Sequence, residues 1–439
     1  MWTLDSDPRL SSTIGNLTLL DQSPNWERLQ YRMERATHAV GRLRQFVHEH
    51  PARVSPPQWV RDADFDLDRH LIRVTLPRST TRRQLLDVVM ERFGRPFDRT
   101  RPLWEFVVYE GLRDGRAAML QRIHHTLMDG EGGLRISEQF IDFARDAPDP
   151  APIELRVADA HANPLSDLAR HGLDRLSSTA KSLGSGLVHP ADTLRAGAGL
   201  VEITRSTLRQ ARFNESKMSP IWTGRSLRTR LDIFELSLAD VRAAAKRLGG
   251  TINDVFVTGA AEAAGRYHRD AGAAVDALRM AMPISTRSGG GAGGNHFSPS
   301  QTLVPCGSMS VIERFDLVHH SLSQTRGESA MNATEALAGA FNLLPPMVLT
   351  RMGYRLAESV DFVTSNLRAA PIEVYLAGAK MTANHPIGPI AGTAFNMTTM
   401  SYCGRLCVGV VTDLEAIADP DALIQHLKQS YRDLLRSRR

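Results

Sequence analysis

The stretch Gln121-Arg122-Ile123-His124-His125-Thr126-Leu127-Met128-Asp129-Gly130 sets two adjacent histidines ahead of a carboxylate and a glycine. Upstream, Trp104-Glu105-Phe106-Val107-Val108-Tyr109-Glu110 and Ala117-Ala118-Met119-Leu120-Gln121-Arg122-Ile123 are rich in apolar and β-branched residues and read as strands. Between them, Leu112-Arg113-Asp114-Gly115-Arg116 carries the Asp-Gly pair of a tight hairpin. The histidines therefore stand where a strand runs into a loop, which Gly132-Gly133 extends. Residues 134–144 then have helical spacing.

That placement suits general-base chemistry. Neighbouring side chains on a strand point to opposite faces, so only one of His124 and His125 faces a given cleft. An ordinary imidazole titrates near working pH and can take a proton from a hydroxyl. Asp129 can hold the loop or orient a ring, and Gly130 permits a tight turn. A solvated structural pair of histidines is the competing reading of these ten residues alone. No metal site is read here: the spacing is not that of a helical HExxH set, and no cysteine is near.

The flanking sequence sharpens the choice. His124-His125-Thr126-Leu127-Met128-Asp129-Gly130 resembles the HHxxxDG motif of CoA-dependent acyltransferases with the chloramphenicol acetyltransferase fold. Pro102-Leu103-Trp104-Glu105 resembles the PLW motif of the bacterial wax ester synthase/diacylglycerol acyltransferase family, and Thr251-Ile252-Asn253-Asp254-Val255 its ND motif. Ser365-Asn366, Tyr375-Leu376-Ala377-Gly378-Ala379 and Gly294-Asn295 are similar to its C-terminal segments, in the family's order along nearly the whole chain. The resemblance implies an α/β fold of two chloramphenicol acetyltransferase-like lobes, mixed sheets flanked by helices, with an active-site tunnel between them.

It also implies an O-acyltransferase that moves a long-chain acyl group from acyl-CoA to diacylglycerol or a fatty alcohol. Acyl-CoA is then a substrate, and no resident cofactor is expected. By the same resemblance His125 is the general base, His124 shapes the site, and Asp129 with Gly130 holds the loop. Pro102, Leu103 and Trp104 wall the acyl channel while packing in the core. Asn253 and Asp254 lie near the reaction centre, Asn253 as a hydrogen-bond donor and Asp254 in a structural role. Two rivals share the fold: transfer to another lipid or polyketide alcohol, and a non-catalytic lipid-binding relative. The chain departs from the family at Ser365-Asn366-Leu367-Arg368-Ala369-Ala370-Pro371, which lacks the usual glycine, and residues 1–13 match poorly.

Composition sets the outer bounds. The 439 residues suffice for two large lobes, and 42% hydrophobic with 23% charged residues is ordinary for a globular protein. The formal charge of +5 suits an anionic ligand or surface, but the basic residues are spread out and no nucleic-acid-binding motif occurs. Three cysteines, Cys306, Cys403 and Cys407, fit a reducing compartment, and the β-like context of the last two reads as core packing. No signal peptide and no apolar run of membrane-spanning length is read, so the expected location is cytoplasmic, including the inner membrane face or lipid-droplet surface.

The chain divides by pattern into an N-terminal lobe (1–160), a helical crossover (161–220) and a C-terminal lobe (221–439). The crossover is basic and amphipathic, which suits either a bilayer surface or packing between lobes. Spacing predicts helices over 26–47, 81–93 (Ser79 or Thr80 as N-cap), 238–248, 311–331 and 423–435. Strands are expected over 14–21, 226–236, 278–284, 371–381 and 393–411. His70 reads as a hydrogen-bonded structural residue. His319-His320 reads as surface or packing, because no Asp-Gly follows it.

Overall fold

A computed structural model describes residues 2, 5, 7–49, 57–127, 133, 136–154, 218–285, 297–331 and 346–438. Two mixed sheets carry the fold. In spatial order the first contains β4 (Leu71–Thr75), β5 (Trp104–Glu110), β6 (Ala117–His124), β1 (Thr13–Leu20), β13 (Ala379–Ile387), β12 (Tyr375–Leu376) and β7 (Ile141–Asp142). The second contains β10 (Phe297–Pro305), β9 (Ala277–Ser285), β11 (Phe362–Arg368), β14 (Phe395–Tyr402), β15 (Arg405–Asp413) and β8 (Thr229–Ser237). A small ribbon pairs β2 (Gln45–His48) with β3 (Gln58–Arg61).

Helices pack on both sheets. α1 (Trp26–Ala39) lies on the first. α2 (Arg82–Phe93) lies between the two, in one cluster with Leu17 and Leu120 of the first and Leu231 and Ile233 of the second. α3 (Leu238–Leu248), α4 (Ile252–Asp270), α5 (Val311–Met331) and α7 (Pro420–Arg436) lie on the second, while α6 (Pro346–Glu358) sets Tyr354 under the Arg9 guanidinium of the first lobe. The expected helices over 238–248 and 311–331 hold at both ends. Gly249 closes α3 in the left-handed conformation (φ 75°), which suits a residue without Cβ. The N-cap of α2 is Thr81, not Ser79 or Thr80; its hydroxyl accepts from the Gln84 amide and Gln84 returns the bond.

Several expected elements are shorter than their spacing suggested, for physical reasons. The helix begun at Trp26 stops at Ala39, and Gln45–His48 leaves helical geometry to pair with Gln58–Arg61. The expected helix over 134–144 gives way at Ile141-Asp142. These residues pair with Tyr375-Leu376, and the Asp142 carboxylate binds the buried Arg32. The single strands expected over 371–381 and 393–411 are each interrupted by a two-residue turn. Ala377-Gly378 (φ 44° and 88°) and Cys403-Gly404 (φ 43° and 75°) take the left-handed conformations that such hairpins need, as Asp114-Gly115 does (φ 61° and 70°).

The two sheets are joined by more than the crossover. β13, from the last part of the chain, pairs antiparallel with β1 inside the first sheet. β15 of the second sheet crosses close to it: a Cβ on Gly409 would lie 1.9 Å from the Pro386 backbone oxygen. Gly409→Ala should therefore cost about 1–3 kcal/mol of stability by overpacking backbone against backbone. Urea unfolding measures this, and a midpoint equal to the parent's would show that the strands part freely.

Candidate functional site

β6 is held on both sides to its last residue. Thr13 of β1 is the partner of His124, and Trp104 of β5 faces Ile123. The His124 amide donates to the Leu103 carbonyl (2.9 Å), and the His125 amide donates to that of Ser12 (2.9 Å). The chain then turns, with the Leu127 amide donating to the His124 carbonyl (2.9 Å). With the backbone pinned here, strand alternation fixes where each ring goes.

Leu120, Arg122 and His124 share the α2 side of β6. Leu120 packs in one cluster with Leu85 and Val89. Arg122 donates to the Arg92 and Arg95 carbonyls, and its guanidinium lies 4.1 Å over the Phe97 ring. The His124 ring meets Phe97 and Trp2 edge-on at 6.4 and 6.1 Å. Its Nδ1 accepts from the Thr126 amide (3.2 Å) and lies 2.8 Å from the Thr126 hydroxyl. An amide can only donate, so Nδ1 carries the lone pair and the ring proton of the neutral form sits on Nε2.

That Nε2 lies 3.1 Å from Asp5 Oδ2, close enough for a strong electrostatic attraction. Asp5 also accepts from the Ser12 amide (2.7 Å) and from Arg99 (3.1 Å). Burial alone would raise the Asp5 carboxyl; the His124 ring, the Ser12 amide and Arg99 outweigh it and hold the group below its usual range. His124 is 2% exposed with both nitrogens engaged, so its ring is a fixed part of the wall. His125, next along the chain, is half-buried.

The Pro102-Leu103-Trp104 segment braces this corner from β5. All three residues are buried. The Trp104 indole donates to the Leu43 carbonyl (2.8 Å), and its ring stacks on His70 at 4.8 Å. His70 donates from Nδ1 to the Trp104 carbonyl (2.8 Å), the structural role expected of it.

Asn253 and Asp254 stand on the second lobe, in the first turn of α4. The Thr251 hydroxyl accepts from the Asp254 amide (3.2 Å), and the Asp254 carboxylate accepts from the Thr251 amide (2.7 Å). Thr251 is thus a plain N-cap with a reciprocal partner. The same carboxylate lies 2.8 Å from His319 Nδ1, which gives that histidine a packing role at the head of α4. The Asn253 amide lies 3.3 Å from the Met282 sulfur. Asp129, Gly130, Gly294-Asn295 and most of the 161–220 crossover lie outside the described residues.

Sequence reasoning gave no role to Asp5, Ser12 or Arg99. Their grouping around His124 has no local signal, because the contacts join segments far apart in the chain. A cleft of about 590 Å³ lies nearby in sequence, between the Asp7–Arg9 segment of the first lobe and Arg225, Ser226, Leu227 and Thr350 of the second. Among the described residues, no helix is long and apolar enough to cross a membrane.

Comparison with known proteins bears on this geometry. Residues 6–256 match the wax ester synthase/diacylglycerol acyltransferase catalytic domain, and residues 293–435 match the WS/DGAT C-terminal domain. A Mycobacterium tuberculosis protein named as a candidate diacylglycerol O-acyltransferase is 34% identical, over 98% of this chain and 89% of its own. A second from that organism, tgs1, similarly named, is 27% identical over 97% and 92%. Among solved structures, the wax ester synthase/diacylglycerol acyltransferase of Marinobacter aquaeolei VT8 superposes with a TM-score of 0.64 at 20% identity, covering 97% of this chain and 95% of that one. The first condensation domain of the calcium-dependent antibiotic synthetase gives 0.61 at 15% identity, covering 99% and 93%. These superpositions bear out the two-lobed α/β expectation.

Two predictions follow from the geometry. Asp5→Ala should lower stability by about 1–3 kcal/mol, because the buried His124 Nε2 loses its charged neighbour; an unchanged urea midpoint would contradict this. Burial also holds His70 and His268 below the ordinary histidine value of 6.5. The unfolded chain takes up protons as pH falls through that value while the fold resists, so this contribution is fully present above about pH 6.5 and lost below it. Urea midpoints should drop between about pH 7.5 and 5.5, and less so in His70→Gln; a flat profile would contradict the assignment.

Proposed function

Because the chain belongs to the wax ester synthase/diacylglycerol acyltransferase family, we propose that it transfers a long-chain acyl group from acyl-CoA to a hydroxyl. The acceptors are diacylglycerol, giving triacylglycerol, and long-chain alcohols, giving wax esters. The observation that carries this reading is the strand end at which His124 is immobilised on Asp5 and Thr126 while its neighbour His125 stays half-buried. A general base must be held in place and still be reachable; the pinned His125 amide and its half-buried side chain support that role.

In this reading a His125 ring nitrogen takes the proton of the acceptor hydroxyl as its oxygen attacks the thioester carbonyl. The tetrahedral oxyanion collapses, the C–S bond breaks, and the CoA thiolate leaves with a proton returned from the imidazolium. No acyl-enzyme is needed, since donor and acceptor react directly within one complex. His124 contributes by fixing the β6 terminus. Asn253 is the proposed oxyanion donor. Its present neighbour is a sulfur, a weak acceptor, so the amide can turn to a better one at little cost. Asp254 anchors the start of α4 beneath it.

Asp129 and Gly130, outside the described residues, complete the motif; the role proposed for Asp129 is to hold the loop by pairing with a basic group. Pro102, Leu103 and Trp104 line the acyl side while keeping the β5–β6 junction rigid. The basic 161–220 segment is the proposed contact with an anionic membrane or lipid-droplet surface on the cytoplasmic side.

The experiment is free-thiol release from palmitoyl-CoA with dioleoylglycerol or hexadecanol as acceptor, followed by chromatography of the product. Acceptor-dependent thiol release with a matching ester is expected. His125→Ala should reduce the rate at least about 100-fold while leaving the melting temperature near the parent's. Turnover at the parent rate in that variant would remove His125 from the mechanism. No thiol release with any alcohol would favour a non-catalytic lipid-binding protein, and esters of other alcohols alone would move the acceptor class.

A further inference from the structure

Away from the histidine corner, three side chains with metal-ligand chemistry converge where the two sheets cross. Glu235 on β8 and Cys407 on β15 are direct antiparallel partners, so both project from the same face of the second sheet. His385 on β13, a strand of the first sheet, reaches the same place. A carboxylate oxygen, an imidazole nitrogen and the sulfur lie within 4.8 Å of one another. None of the three is used in the proposed acyl transfer. Reading the sequence alone set Cys407 beside Cys403 as core packing; the fold sets it beside a histidine instead.

The second observation concerns the ring. His385 is fully buried, and its Nδ1 lies 3.2 Å from the Val408 carbonyl. A carbonyl only accepts, so Nδ1 carries the proton and Nε2 presents its lone pair. Nε2 has no hydrogen-bond partner among the protein atoms, an uncommon state for a buried nitrogen. It is aimed instead at Glu235 Oε1, 3.7 Å away. Two acceptors that face each other are stabilised by positive charge placed between them.

The surroundings match what metal sites use. A ligating imidazole commonly donates its other nitrogen to a backbone carbonyl, which fixes its orientation, and Val408 supplies that carbonyl. Arg405 holds the second oxygen of Glu235 at 2.7 Å, which orients the carboxylate with Oε1 toward the ring while competing for its charge. Glu235 keeps 30% of its side chain exposed, so the site is open to solvent on one side. One nitrogen, one sulfur and one oxygen ligand form a set favoured by zinc, with the fourth tetrahedral position left to water.

We propose that Glu235, His385 and Cys407 bind a thiophilic divalent cation, zinc(II) in preference to magnesium or calcium, and that the bound ion staples β13 of the first sheet to β8 and β15 of the second. Binding exchanges the Cys407 thiol proton, released to solvent, for a sulfur–metal bond, with no change of oxidation state. The role is structural, so the proposal stands or falls independently of the acyl-transfer reading.

The test uses the full chain, stripped with a chelator and dialysed. Titration with zinc(II) by calorimetry should show a single tight equivalent, and the melting temperature should rise with zinc but not with magnesium. Cobalt(II) should give the near-ultraviolet thiolate charge-transfer band and intense visible bands of a tetrahedral site. Cys407→Ser should abolish the charge-transfer band, and Glu235→Gln should weaken zinc binding at least about tenfold. Cys403→Ser should leave both intact. Should Cys407→Ser fail to fold, Glu235→Gln, on the exposed edge, still decides the matter. The proposal is overturned by absence of stoichiometric binding, by affinity that neither Glu235→Gln nor Cys407→Ser alters, or by a charge-transfer band that depends on Cys403.

Discussion

The backbone at the end of β6 is clamped from two sides, and the rest of the site depends on that clamp. Leu103 holds the His124 amide and Ser12 holds the His125 amide, so neither residue can rotate about the strand axis. A strand end fixed this way must send consecutive side chains in opposite directions. One imidazole is therefore committed to the interior, where Asp5 and Thr126 occupy its two nitrogens. The adjacent residue, His125, shares the pinned backbone and is half-buried. A pair of histidines thus supplies one fixed anchor and, in the proposed reading, one base, a division of labour that a single histidine on a loop could not supply.

The clamp in turn relies on the way the two halves of the chain are woven together. β1 is paired with β6 on one side and with β13 on the other, so the first sheet is completed by residues from the last part of the sequence. β13 lies against β15 closely enough that only a glycine fits at position 409. The helices of the second lobe close behind it: the Tyr431 hydroxyl of α7 donates to the Phe256 carbonyl of α4 (2.7 Å). Asn253 and Asp254 begin that same α4, so the packing that sets the second lobe also sets the place of the proposed oxyanion donor.

Much of this was legible in the sequence, wherever the signal was local. Hydrophobic spacing bounded α3 and α5, and Asp114-Gly115 marked the β5–β6 hairpin. The turns at Ala377-Gly378 and Cys403-Gly404 were missed because their first residues are not the usual left-handed formers, and apolar residues run on through both. The strand at Ile141-Asp142 was missed because its cause is tertiary: a partner strand and the buried Arg32 override helical spacing. Within the site, the histidines stood out by their place at a strand end, and the Pro-Leu-Trp segment by its resemblance to a family motif. Asp5 did not, since one carboxylate in an unpatterned lead acquires meaning only from what it touches. His319, read as surface or packing, proved to cap the story of Asp254, which no spacing rule would connect to it.

The central claim is that His125, not His124, meets the acceptor. A crystal structure of the protein with a non-hydrolysable acyl-CoA and a long-chain alcohol measures this directly. The account predicts the alcohol oxygen within about 3 Å of a His125 ring nitrogen, with His124 still resting on Asp5 and Thr126. An alcohol oxygen seated against His124, or a His125 ring walled off from both substrates, would contradict it.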